Sequence, residues 1–301
     1  MLEKIWIAML CLGACGPALA EEPASADDAE QAAAAARQFE ASLRFQQGEV
    51  ALPGGIAVLQ VPAGFRYVGP DDARRVLEDG WGNPKGEGTL GMLFPTDVAV
   101  VGADGWGVVI TYEEDGHVSD EDADSIDYDA LLADMRDGVA AENDARRDAG
   151  YEAIQVIGWA AKPHYDKAAR KLYWAKELKF GDSADHTLNY NIRILGRKGV
   201  LVLNAVSDMR QLGNVEQDMQ QVLAFTNFTA GNRYEDFDAS IDKVAAYGLG
   251  ALIAGGVAAK TGLLAKLLAL LVAFKKFIIL GVVLAAGVVG KVLFGRKDQS
   301  A

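Results

Sequence analysis

Cysteine is nearly absent from this 301-residue chain, and its two copies, Cys11 and Cys15, both lie at the extreme N-terminus. A disulfide framework is therefore excluded for everything after residue 15, and the domain must hold itself together by its core alone. Histidine is equally scarce: His117, His164 and His186 have no i,i+4 spacing and no cysteine beside them, which argues against a zinc site. No serine sits in a Gly-x-Ser-x-Gly setting, and Gly54-Gly55 and Gly86-x-Gly88 are too short for a phosphate loop. Basic charge is also short. With Lys260, Lys266, Lys275, Lys276, Lys291, Arg296 and Lys297 against Asp298 alone, the last stretch carries +6 of a net charge of −13, so the remainder carries −19. An ectodomain that acidic disfavours nucleic acid and anionic membrane surfaces as partners. No motif for a cofactor is present, and none is expected.

The long apolar run is what the chain has instead. Phe277 to Phe294 is an 18-residue apolar stretch with one charge, Lys291, near its end. As a helix it would be roughly 27 Å long, enough to cross the hydrocarbon core. Lys291 can snorkel, and Arg296-Lys297 suit a cytoplasmic end. The preceding residues, glycine-rich at Gly248, Gly250, Gly255 and Gly256 and punctuated by lysines, suit an interfacial helix around Leu263 to Phe274 better than a second span. Burying Lys260 and Lys266 at mid-membrane would cost at least about a few kcal/mol each. Close helix packing through those glycines is the alternative.

The N-terminus has the parts of a secretory signal: Lys4, an apolar run from Ile5 to Gly13, and Ala18-Leu19-Ala20 before two acids. Cleavage after Ala20 and lipidation at Cys15 within Leu12-Gly13-Ala14-Cys15 both stay open. The expected organisation is a signal over 1–20, a helical segment over 21–47, a periplasmic domain over 48–235, a glycine-rich apolar or interfacial segment over 236–276, a transmembrane helix over 277–294 and a cytoplasmic tail over 295–301. That places the protein in a bacterial inner membrane with its main domain in the periplasm.

Within the domain, alternating and β-branched runs predict strands at 55–61, 90–95, 107–112, 152–158, 171–180, 187–195 and 200–207. Helical spacing predicts helices over 28–47, 70–79, 127–148 and 212–224. The fold class is α+β, an antiparallel sheet covered by helices, with an element order similar to the Mog1/PsbP-type layout.

Five strings carry a more specific likeness: Trp81-Gly82-Asn83-Pro84, Leu90 to Pro95 (LGMLFP), Gly158-Trp159-Ala160, Leu172-Tyr173-Trp174-Ala175, and Leu188 to Arg197 (LNYNIRILGR). By these the chain resembles the bacterial domain-of-unknown-function family 2167, described as predicted membrane-anchored proteins. The resemblance implies a membrane-anchored protein and lends no catalytic residues.

Two groups of residues are candidates for a site. Asp120, Asp122 and Asp124 match the first three ligand positions of an EF-hand loop, but Ser125 and Leu131 stand where Gly and Glu are required. The plain alternative is a set of acids complementing the dipole of the helix after Asp127. On the strand 187–195, Leu188, Tyr190, Ile192 and Ile194 share one face and Asn189, Asn191 and Arg193 the other. The polar face can line a groove that recognises a carboxylate through the Arg193 fork, or be a solvated face with cross-strand pairs such as Arg193 with Glu177. The leading expectation is a non-enzymatic binding or interaction module of the cell envelope, with an envelope protein as a possible partner. A periplasmic hydrolase using the acidic 113–129 region with His117, and a membrane-remodelling oligomer acting through Val244 to Phe294, are the alternatives.

Overall fold

Val200–Asp208 and Thr187–Leu195 are two nine-residue strands joined by a short turn, and the rest of the domain is built outward from that pair. The computed structural model describes residues 26–83, 88–102, 105–148 and 152–254. In chain order its main elements are α1 (Ala26–Ala41), β1 (Phe45–Gln46), β2 (Gly48–Ala51), β3 (Ala57–Val61), β4 (Phe65–Val68), α2 (Pro70–Arg75), β5 (Gly91–Pro95), β6 (Val108–Glu113) and β7 (His117–Ser119). There follow α3 (Tyr128–Asp148), β8 (Ile154–Asp166), β9 (Lys171–Phe180), β10 (Thr187–Leu195), β11 (Val200–Asp208), α4 (Leu212–Phe225), β12 (Thr226–Phe228), β13 (Val244–Gly248) and α5 (Leu249–Ala254).

Eight strands form one sheet in the order β1-β4-β5-β6-β11-β10-β9-β8, every neighbouring pair antiparallel. One face carries Tyr67, Leu93, Ile110, Tyr190, Ile192, Leu201 and Leu203, all buried. The stripe Val215, Met219 and Val222 of α4 seals it, together with a small sheet ordered β12-β3-β2. Lys171 fixes the end of α4: its Nζ donates to the carbonyls of Leu223 (2.5 Å) and Thr226 (2.9 Å), which the helix leaves unpaired.

The opposite face is covered in two pieces. Under α1 and α2, Val68, Met92, Phe94 and Val109 pack with Ala73, Val76 and Trp81. Under α3 and α5, Leu172, Trp174, Val200 and Val202 pack with Met135, Leu249, Leu252 and Ile253. Helix α3 starts where Asp127 Oδ1 accepts from the amides of Asp129 (3.1 Å) and Ala130 (3.0 Å), a side-chain cap at a helix start.

Several sequence expectations shift. The first helix stops at Ala41, because Phe45–Gln46 pairs with β4 rather than continuing to residue 47. The domain does not end at residue 235. Residues 236–254, assigned from sequence to the glycine-rich apolar segment, return to the body as β13, parallel to β7, and then α5. Gly116 permits this docking: at φ +110° it takes a backbone conformation side chains rarely adopt, and a Cβ there would lie 2.7 Å from the Lys243 carbonyl. The helix expected over 70–79 is α over Pro70–Arg75 and widens into a π turn over Val76–Gly80. Among the described residues no helix is long and apolar enough to cross a membrane. The expected signal over 1–20, interfacial helix over 263–274 and membrane helix over 277–294 lie outside them.

Candidate functional site

Register decides what the second face of the sheet presents between its two apolar clusters. Directly opposed residues of antiparallel strands share a face, with Cβ atoms about 4.5–5.5 Å apart. Asn191 on β10 stands opposite Asn204 on β11 and Trp174 on β9, and Asn204 stands opposite Val109 on β6. One row of four therefore runs from Val109, in the cluster under α1 and α2, to Trp174, in the cluster under α3 and α5. The two asparagines bridge the gap. The adjacent rows on the same face bring in Asn189 with Lys176 on one side and Arg193 with Leu172 on the other, and the row beyond Arg193 sets Glu113 opposite Val200.

This lane is covered, not solvated. Asn189 is 1% exposed, Asn191 2%, Asn204 3% and Arg193 7%. The solvated-face expectation is thereby corrected, and so is its cross-strand pair: Glu177 stands opposite Leu188, whereas Arg193 stands opposite Leu172. The guanidinium of Arg193 lies instead over the Trp174 ring, 5.2 Å from its centroid.

The asparagines form a directed relay. Asn191 Nδ2 donates to Asn189 Oδ1 (2.9 Å), and Asn189 Nδ2 donates to Asn204 Oδ1 (3.1 Å). The relay ends at Asn204 Nδ2, a buried donor with no partner among the described residues. Arg193 Nε and Trp174 Nε1 are in the same condition, as is Glu113 Oε1. A buried polar group left unpaired costs about 1–3 kcal/mol, so four of them on one sheet face demand an explanation.

Charge is unusual here too. Burial pushes the Glu113 carboxyl up to about 7, against the pull of Arg193, and Asp115 adds to the rise. Burial lowers Lys176 to about 8, with the like charge of Arg193 contributing. Burial also lowers Arg193, opposed by Glu113 and then Tyr247. Tyr247, on β13, donates from its hydroxyl to Asp115 Oδ2 (2.7 Å), and burial raises its own pKa. The strand that returns to the body thus brings a phenol beside Glu113 and Arg193, a neighbour that no local sequence pattern announces.

The three aspartates do not converge. Asp120 accepts from the hydroxyls of Tyr165 (2.8 Å) and Tyr234 (3.2 Å) and pairs with Arg170. Asp122 receives the amides of Leu249 and Gly250, both at 3.0 Å, and so caps the N-terminus of α5. Gly248 allows that approach, since a Cβ would stand 2.8 Å from Asp122 Oδ2. Asp124 is exposed. Among the described residues no three His, Cys, Asp or Glu side chains converge on a metal position. His117 is buried between the rings of Tyr234 and Phe237, at 4.1 and 4.0 Å. Burial lowers its pKa, against the backbone of Arg197 and the charge of Asp120. Of the acids invoked for a hydrolase, Asp120 thus goes to a tyrosine–arginine cluster, Asp122 and Asp127 to helix caps, and Asp115 to the Tyr247 hydroxyl.

Beside that cluster lies an open cleft of about 300 Å³, lined by Arg170, Lys171, Asn227, Arg233, Tyr234 and Glu235. Arg170 reaches it from a left-handed backbone (φ +57°) and packs over the Tyr234 ring at 4.5 Å.

Fold and site together define a mixed α/β domain with one large antiparallel sheet and a polar lane buried on its second face. Residues 44–286 match the family described as "Protein of unknown function (DUF2167)", and the chain belongs to that family. No curated protein matches it. Solved structures with a similar fold include the Ran-binding protein Mog1p of Saccharomyces cerevisiae, at 15% identity and a TM-score of 0.34, covering 62% of this chain and 96% of that one. The cyanobacterial PsbP of Synechocystis is similar at 11% identity and a TM-score of 0.34, covering 63% and 94%. Such likeness says nothing of activity. Two of the five family-like strings supply Trp174, Asn189, Asn191 and Arg193, so the lane is where those strings meet.

Proposed function

We propose that this DUF2167 protein is a membrane-anchored module of the bacterial cell envelope that binds a small ligand at the lane formed by Trp174, Lys176, Asn189, Asn191, Arg193 and Asn204. One observation carries the reading: three buried N–H donors without partners among the described residues, one of them on the cation Arg193, with a second cation, Lys176, in the neighbouring row, on a sheet face otherwise packed with apolar side chains. A face kept only for stability would be filled with apolar groups or with fully paired polar ones. The envelope placement rests on the sequence: the signal-like residues 1–20, the apolar stretch Phe277 to Phe294, and an acidic, cysteine-free domain between them. Binding is favoured over catalysis because Asp122 and Asp127 cap helices, Asp120 pairs with Arg170 and two tyrosines, and His117 is stacked between two rings.

Two measurements test the reading. Native mass spectrometry of the full-length protein extracted from membranes should find a bound species that is absent from Arg193→Met. Wild-type protein with no bound species counts against it. Topology reporters fused after Ala254, Lys276 and Ala301 should give periplasmic, periplasmic and cytoplasmic signals in turn. A cytoplasmic signal after Ala254 would sink the envelope placement.

A further inference from the structure

Taking the lane as a binding site, as above, we infer that its ligand is a small organic molecule bearing a single carboxylate, whose two oxygens accept hydrogen bonds from Arg193 Nε, Asn204 Nδ2 and Trp174 Nε1.

The first argument is complementarity of donors. All three unpartnered nitrogens are N–H donors, and none can act as an acceptor. Their complement is a group that only accepts. A carboxylate offers two oxygens and about four lone-pair sites in one plane, enough for three donors. A neutral carbonyl offers a single oxygen and leaves part of the set unmet. The direction of the asparagine relay matters here. Because Asn191 donates to Asn189 and Asn189 to Asn204, the relay delivers its last donor outward at Asn204 Nδ2. A relay running the other way would have ended in an acceptor.

The second argument is geometry at the guanidinium. Arg193 Nη1 is occupied by the Ile192 carbonyl at 3.1 Å, and the group lies over the Trp174 ring. Both restraints set the plane of the fork while leaving Nε unpartnered. A fixed planar fork with a free N–H favours a planar oxyanion in its own plane.

The third argument is charge. Arg193 is a buried cation and Lys176 a half-buried one, and Glu113 is the one carboxylate that acts on Arg193. No acid acts on Lys176. Above about pH 7, where Glu113 is ionised, the lane holds one surplus positive charge, which a monoanion cancels. A dianion would reverse the sign and face Glu113 across a site of low dielectric, where like charges are expensive.

The test uses the full-length protein in detergent micelles with ¹⁵N-labelled arginine and tryptophan. It is titrated with sodium acetate and sodium propionate, and in parallel with sodium chloride and inorganic phosphate at equal ionic strength. Expected is a saturable downfield shift of the Arg193 Nε–H and Trp174 indole N–H signals with the two carboxylates and none with chloride. Asn204→Asp keeps the Oδ1 that accepts from Asn189 and turns the outward donor into an oxygen, so it should weaken the carboxylate response at least tenfold. Should that variant fail to fold, Trp174→Phe removes one donor alone and should weaken the response several-fold. Saturation by phosphate and not by carboxylates would overturn the carboxylate class while leaving the lane a binding site. So would a carboxylate-free species found bound in native mass spectrometry and lost in Arg193→Met. No saturable shift with any probe, and no bound species, would overturn both readings and leave water as the partner of these donors.

Discussion

The two faces of the eight-stranded sheet are built from the same strands, yet they obey different rules. Under α4, strand residues at every second position are apolar, and the helix returns Val215, Met219 and Val222 at helical spacing to meet them. Nothing on that face asks for a partner from outside. On the other face two apolar clusters approach from opposite edges and leave a polar lane between them, carrying two cations, an acid near neutrality and three idle donors. The first arrangement maximises stability. The second sacrifices some of it, as sites held ready for a ligand commonly do.

The largest effect should come from damaging the first face. Leu203 is fully buried beneath α4, so Leu203→Ala should lower the unfolding free energy by about 2–5 kcal/mol in chemical denaturation. A loss under 1 kcal/mol would mean that this face is not the main support.

The next contrast is with pH, and on the second face it centres on Glu113. Glu113 in the folded protein keeps its proton up to about 7, against an ordinary value of 4.5. Between those values the native state binds more protons than the unfolded one, so stability falls as pH rises across that window and levels off outside it. In Glu113→Gln that part of the slope should vanish, as thermal melts at intervals from pH 4 to 8 would show. Identical slopes in the two proteins would refute the shift.

Smaller is the effect at the strap that brings Tyr247 to the lane. Asp122→Ala removes the cap of α5 and should cost about 1 kcal/mol, with faster amide hydrogen exchange in α5 than in α4. Equal protection of the two helices in the variant would place the strap's stability elsewhere.

The smallest effect sharpens the comparison most. Arg193→Met removes a buried, incompletely paired charge, and at pH 6 Glu113 can stay neutral without it. Stability should be unchanged or raised by about 1 kcal/mol, whereas the carboxylate response is lost. A drop beyond 2 kcal/mol in urea denaturation would make Arg193 a structural residue.

Much of this architecture is legible in the chain. The period-two pattern of Leu188, Tyr190, Ile192 and Ile194 locates β10 and its core face, and the stripes Leu132-Met135-Val139 and Val215-Met219-Val222 locate α3 and α4. Turn residues set the bounds of β9, β10 and β11 to within a residue, because hairpins are local and their signals lie side by side. The short elements escaped. β1, β7, β12 and β13 have two to five residues each, too few for a period to show, and they form only because a distant strand is already there to pair with.

The candidate site divides along the same line. Alternation alone placed Asn189, Asn191 and Arg193 together on one face, since side chains of a strand must point by turns to opposite sides. It could not say what lies over that face, because cover comes from elements remote in the chain. Burial by α3, α5 and the α1–α2 cluster, the neighbours Asn204, Glu113, Trp174 and Lys176, and the arrival of Tyr247 are products of strand order and of the returning strap. Asp122 shows the limit most simply. In sequence it stands between Asp120 and Asp124 and looks like a cation ligand, but in space it meets the amide of Leu249, 127 positions onward. Local chemistry determined that its carboxylate would seek positive charge, and tertiary packing decided that a helix terminus would supply it.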